Sequence, residues 1–200
     1  ARRLVAETGD EVDFVVSDVY DAASVLPVGT FDLVYTGIGA LCWLPSIGRW
    51  AQVVSALLAP GGCLFLREIH PLLWAIDETL DDDLHLRFSY FERSEPLEWD
   101  ADASYVATAR PLTATKTYEW NHSLGEIVTA LLSAGLQLET FVEHDSVPFQ
   151  ALPGQRFCGA VQRVQCAAHI TGGVAVIVVR GKHIHAEGQL QHQCNVPLIG

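Results

Sequence analysis

The chain has 200 residues, of which 50% are hydrophobic and 18% charged, and its formal net charge is −12. That composition excludes an intrinsically disordered chain and supports a core without disulfide staples, while the absence of any apolar run near about eighteen residues excludes a membrane-spanning segment. With 12 basic against 24 acidic residues, a general surface for nucleic acid or anionic lipid is excluded too, because phosphate binding needs clustered Lys and Arg, and a small-molecule partner is expected.

Residues 2–9 read as the end of a helix stopped by Gly9, without the apolar core of a signal peptide. The chain contains no Met, position 1 included. It is expected to lack its N-terminal part; removal of an initiator before Ala1 is the alternative. Val12–Asp18 and Phe31–Thr36 are short β-branched runs ending in polar residues, as parallel strands buried on both faces do. Ile47, Trp50, Val53, Val54, Leu57 and Leu58 follow helical spacing and predict an amphipathic helix. Pro60–Gly62 ends it, and Cys63–Ile69 is the next strand, expected at the centre of a parallel sheet built of βα units.

The stretch from His85 to Tyr118 differs. His85–Phe91 and Tyr105–Ala109 alternate and predict antiparallel strands, with Pro96–Asp100 as the turn region between them. Ser123 with Glu126 three residues later predicts a capped helix, Gly135 stops it, and Leu136–Glu143 is the strand that follows. Composition then changes near Pro153: residues 1–152 carry 8 basic and 23 acidic residues, whereas 153–200 carry 4 and 1. The five cysteines, Cys42, Cys63, Cys158, Cys166 and Cys194, lack CxxC spacing, which argues against a disulfide framework or zinc ribbon and fits a reducing cytoplasm.

Phe-Asp-Leu-Val from Phe31, an amphipathic helix, Leu-x-Pro-Gly-Gly at Leu58–Gly62 before an apolar strand, and a helix ending in Ala134-Gly135-Leu136 together resemble class I S-adenosylmethionine-dependent methyltransferases over residues 1–150. The resemblance implies an α/β fold: a partial, mostly parallel Rossmann-like sheet of family strand order 3, 2, 1, 4, 5, 7, 6, with an inserted antiparallel β lid region after the fifth strand. It implies a methyltransferase domain at 1–152 lacking its first two strands, with S-adenosylmethionine as cofactor and a small-molecule methyl acceptor. Residues 153–200 are then an atypical tail expected to pack poorly; Val174–Val179 is the run available for a local hairpin or for the family's final strand.

By the same resemblance, Asp18 and Val19 stand where adenine is read, the carboxylate accepting from its exocyclic amine and the next N–H serving a ring nitrogen; the alternative is that Asp18 caps a turn. Thr36 and Gly37 offer main-chain groups where Gly37 and Gly39 let backbone pass close to the sulfonium; the alternative is a tight turn alone. The family's Gly-rich loop after the first strand and the ribose-holding acid after the second are absent from these 200 residues. Because of that departure, the chain by itself is not expected to methylate anything.

Methyl transfer is an in-line displacement that chiefly needs alignment and exclusion of water, and a base serves only some acceptors. Glu68 and His70, two apart at the carboxyl end of the fifth strand, share a face, and His70 is a candidate base, expected near Asp18 and Gly37 and facing a cavity; the alternative is a His held by backbone before Pro71. His122 is a second candidate, the alternative being a residue that helps the helix cap. Trp43, Trp74, Phe88, Tyr90, Phe91, Trp99, Tyr105 and Trp120 divide between core and an acceptor pocket.

Asp81, Asp82 and Asp83 invite a metal reading but suit a solvated loop better, and the zinc-compatible spacing of His183, His185, His192 and Cys194 lacks a scaffold; no metal is expected. Two rivals remain: a non-catalytic Rossmann-like module that binds a nucleotide-bearing ligand or partner, and an aberrant chain whose tail from about Phe149 does not belong to the fold.

Overall fold

The computed structural model describes residues 1–77, 85–100, 113–144, 146–147, 162–163 and 174–181. Asp81–Asp83, Tyr105–Ala109, and His183, His185, His192 and Cys194 lie outside the described residues. Among the described residues no helix is long and apolar enough to cross a membrane.

The main sheet has four strands: β1 (Phe31–Thr36), β2 (Leu58–Ile69), β5 (Leu136–His144) and β8 (Val174–Gly181), in spatial order β1-β2-β8-β5. β1 and β2 are parallel, and β8 is antiparallel to both β2 and β5, so three strands run one way and β8 returns between two of them. β2 is interior, as its apolar run on both faces requires. This order reproduces the 4, 5, 7, 6 half of the sheet that the resemblance implies.

Two helices cover one face. α3 (Ile47–Leu57) starts at Ser46, whose side chain accepts from Arg49 N, and buries Ile47, Trp50, Ala51 and Val54. α4 (Leu124–Ser133) has the predicted capping box of Ser123 and Glu126 and buries Ile127 and Leu131. Leu64 and Leu66 of β2 stand opposite Val179 and Ile177 of β8, and these four, each 0–1% exposed, meet both helices in a single core. At about 1.5–3 kcal/mol per fully buried aliphatic side chain, this layer is the main source of stability.

The Leu-x-Pro-Gly-Gly segment bulges within β2: Phe31 pairs with Leu58, yet Leu33 pairs with Cys63. Gly61 takes φ 81, and a Cβ on Gly62 would lie 2.6 Å from Phe31 O and 3.1 Å from Ala59 O. Those oxygens belong to backbone and cannot swing aside. Gly62→Ala is therefore expected to lower stability by at least about 1–3 kcal/mol, read as a lower urea midpoint; an unchanged midpoint would refute this packing.

Three expectations are corrected. Val12–Asp18 contains no strand: Val12, Val15 and Val16 are 51%, 51% and 94% exposed, because among the described residues no strand lies beside them to complete a ladder. The turn region Pro96–Asp100 holds a strand instead, since β3 (Leu97–Asp100) pairs with β4 (Lys116–Glu119), while His85–Phe91 contributes only one bridge, Leu86 to Ile76. Within residues 153–200, β8 does not pack poorly or form a local hairpin; it is hydrogen-bonded along both edges, and Ile177, Val178 and Val179 are buried. The sheet thus crosses the boundary drawn at 152/153.

The remaining elements are small. α1 (Arg2–Thr8) stops at Gly9 in the left-handed region and buries no residue. α2 (Ala22–Val25) is one turn, and β6 (Ser146–Val147) pairs with β7 (Gln162–Arg163).

Candidate functional site

Parallel β1 and β2, with α3 returning between them, put the end of β1, the start of α3 and the end of β2 at one edge of the sheet. Ligands bind at this carboxyl edge in open α/β sheets. Asp18 is brought there indirectly. Its carboxylate accepts from Tyr20 N at 2.8 Å, so it caps a short 3₁₀ turn, Val19–Asp21. The Tyr20 hydroxyl then accepts from Ser46 N at 2.7 Å and donates to Ser46 O at 3.1 Å, tying that turn to the start of α3. Burial raises the Tyr20 pKa, which keeps the proton it donates, and the Arg49 guanidinium lies 4.0 Å above its ring.

Thr36 ends β1 opposite Leu66, and Gly37 follows, where a Cβ would meet the Tyr35 ring at 3.3 Å. Gly39 takes φ 77, which turns the N–H groups of Gly39, Ala40 and Leu41 toward one point. Glu68 occupies that point: one oxygen accepts from Gly39 N and, at 2.8 Å, from Ile69 N, the other from Ala40 N and Leu41 N at 3.1 and 3.0 Å. Successive N–H groups of this kind form an anion-binding concavity, and here an internal carboxylate fills it.

Glu68 and His70 are both buried at the end of β2, but they turn to different partners. His70 Nδ1 accepts from Leu72 N at 3.1 Å, so the neutral ring carries its proton on Nε2, 2.8 Å from Glu143 Oε1 on β5. Its bonds therefore run to the following turn and to the β5 side of the sheet.

His122 is 3% exposed. Its Nε2 donates to Leu44 O at 2.8 Å, and its backbone N donates to Asn121 Oδ1. Glu92 Oε2 lies 2.9 Å from Nδ1, at ion-pair distance. The same oxygen accepts from Ile47 N at 2.8 Å, and Glu92 N donates to Glu126. Asn121 Nδ2 donates to Pro71 O and Ser89 O, and the Tyr90 hydroxyl accepts from Leu124 N. Composition gave no signal for Glu92 or Asn121; the weak one was a lone acid closing the aromatic run 88–91 and an amide beside the capping Ser123.

Two cavities adjoin these residues. A narrow one of about 10 Å³ is lined by Leu41, Cys42, Glu68, Trp74, Trp120 and His122, among others. A larger one of about 160 Å³ is lined by Phe88, Phe91, Leu97, Trp120, Asn121 and charged side chains including Arg93. They share Trp120 and Asn121. Trp120 Nε1 is buried without a hydrogen-bond partner.

Cys42 lines the narrow cavity with its thiol pushed up to about 12, first by burial and then by the Glu119 and Glu68 carboxylates. The thiolate is the reactive form, so at pH 8 Cys42 is expected to alkylate at least about a hundredfold more slowly than a free thiol. Mass spectrometry of the Cys42 peptide after timed iodoacetamide exposure reads this; labelling at the free-thiol rate would overturn the placement.

No protein-family model matches the chain, and no curated protein matches it in sequence. Solved structures do match it in fold. A protein of Listeria monocytogenes, provisionally assigned as an S-adenosylmethionine-dependent methyltransferase, aligns with TM-score 0.56 at 14% identity over 91% of this chain and 76% of its own. An S-adenosylmethionine-dependent methyltransferase from Clostridium acetobutylicum aligns with TM-score 0.53 at 11% identity over 90% and 69%. The 4+2 cyclase SpnF aligns with TM-score 0.50 at 14% identity, over 91% of this chain and 61% of its own.

Proposed function

From a chain that has the class I S-adenosylmethionine-dependent methyltransferase fold, we propose methyl transfer from S-adenosylmethionine to a small-molecule acceptor. The observation that supports this is the antiparallel return of β8 between β2 and β5, with the carboxyl ends of parallel β1 and β2 at one edge of the sheet. Fold alone does not fix chemistry, as the likeness to a cyclase illustrates, so the reading rests on the residues at that edge.

These residues suit the adenosyl and sulfonium portions of the donor in part. Asp18 keeps one carboxylate oxygen beyond the one that Tyr20 N uses, at a turn fixed to the start of α3. Thr36 and Gly37 bring main-chain groups to the end of β1, and Gly39 turns the chain toward Glu68. The donor, when bound, supplies an electrophilic methyl group. Glu68 acts as a positioning residue that holds the 39–41 turn, and His70 links the end of β2 to β5. His122 stands between Leu44 O and the Glu92 carboxylate, its Nε2 2.8 Å from the first and its Nδ1 2.9 Å from the second.

Amide NMR with S-adenosylmethionine at millimolar concentration tests the donor site. Shifts are expected at residues 18–20 and 36–39, with tritium from the labelled methyl group appearing in an acceptor once one is supplied. Shifts confined to other residues, or none at 10 mM, would overturn the reading; binding without transfer to any acceptor would favour the non-catalytic module.

A further inference from the structure

The larger cavity has walls fixed by bonds that occupy most of its polar side chains. Asn121 Nδ2 donates to Pro71 O and Ser89 O, and its Oδ1 accepts from His122 N. Ser89 Oγ accepts from Phe91 N and donates to Phe91 O. Arg87 is held by Asp77 Oδ2 at 3.0 Å, and Glu119 is engaged as well. Arg93 and Glu95 remain. Both line the cavity, and neither side chain makes a hydrogen bond or ion pair with another described residue.

A cation and a carboxylate that open on one space without pairing to each other match a ligand that carries both charges. Arg93 suits a carboxylate, which guanidinium takes through two parallel N–H donors, and the buried, unpartnered Trp120 N–H on the same wall is a further donor. Glu95 can only accept, which suits an ammonium group. A ligand with one charge alone would meet a like charge from the other residue. Phe88, Phe91 and Leu97 supply apolar wall, with Phe88 braced edge-on by Trp99 at 5.4 Å and Phe91 by Tyr90 at 5.3 Å. The volume of about 160 Å³ is near the roughly 150 Å³ that holds benzene, so by size the ligand has about six to eight heavy atoms. We infer that this cavity binds a small aliphatic α-amino acid, its carboxylate on Arg93 and Trp120 and its ammonium group on Glu95.

The cavity meets the narrow one, beside Glu68 and His122, at Trp120 and Asn121. The bound amino acid therefore lies next to the candidate catalytic residues. The inference concerns binding alone and goes beyond the methyl-transfer reading, whose donor positions are residues 18–20 and 36–39. Arg93 and Glu95 are exposed, so solvent screens both contacts and affinity in the millimolar range is expected.

The test titrates the ¹⁵N-labelled chain, without any methyl donor, with L-valine, with isovalerate, which lacks the ammonium group, and with isobutylamine, which lacks the carboxylate. Five tryptophans give five indole N–H signals, and the one lost in Trp120→Phe is Trp120. Valine is expected to move that signal and the amides of Phe88–Glu95, and the two one-charge analogues to bind at least about tenfold more weakly, the lower end for one charged hydrogen bond. Arg93→Gln and Glu95→Gln are each expected to weaken valine binding about tenfold and to leave the urea midpoint unchanged, because neither side chain has a partner in the fold. Should Trp120→Phe unfold, the amides of the unmutated chain still rank the three ligands. No shift with valine at tens of millimolar, an analogue that binds as well as valine, or full affinity in either variant overturns the inference. The donor amides at residues 18–20 report separately, so loss of one result leaves the other standing.

Discussion

Replacing Glu68 with alanine is expected to destabilise the chain by about 3–5 kcal/mol. Glu68 is 6% exposed, and its two oxygens accept from four backbone N–H groups. Each buried donor left unpaired costs about 1–3 kcal/mol, and water entering the vacated space recovers part of that. Glu68→Gln keeps the shape but points an amide donor at N–H groups, so about half the loss is expected. Urea unfolding of both variants, with hydrogen exchange at Gly39–Leu41, reads the effect. A cost under about 1 kcal/mol for alanine would mean that another group holds the turn.

The second large effect concerns the donor. The resemblance places the family's Gly-rich turn and ribose-holding acid on strands that this sequence is expected to lack. Each lost charged hydrogen bond costs about 1.5–3 kcal/mol, so two or three losses weaken binding by roughly 10³-fold or more. Calorimetry on this chain is therefore expected to find no binding of S-adenosylmethionine at micromolar concentration, with the millimolar contacts at Asp18 and Gly37 remaining. Micromolar affinity would mean that Gly37 and Gly39 hold more of the donor than their geometry suggests.

What the sequence made legible was local. Ser123 with Glu126, the apolar stripe of Ile47–Leu57 and the stop at Gly135 are read within a turn or two, and each stands as expected. Val12–Asp18 has the composition of a strand but no neighbour to make it one, because a ladder is a property of two segments. Leu97–Asp100 is the opposite case: proline before it and acids within it argue for a turn, and pairing with Lys116–Glu119 overrides them. The site was the least legible. Glu68 reaches a turn 27–29 residues earlier, and His70 a carboxylate 73 residues later. The two-residue period places Glu68 and His70 on one face and says nothing of partners that far away in the chain.

β8 has a consequence for the order in which the molecule can be made. It is the last described strand in sequence yet lies inside the sheet, pairing Arg180 with Cys63 on one edge and with Gln137 on the other. During synthesis, β2 and β5 leave the ribosome well before the strand that joins them, each with a vacant edge. The sheet cannot close as it is translated; it waits for residues 174–181, and the long loops then closed make the final step slow. A nascent chain paused before that point exposes two apolar edges to other chains, so the yield of native protein should depend on chaperones and temperature more than the stability of the finished fold would suggest.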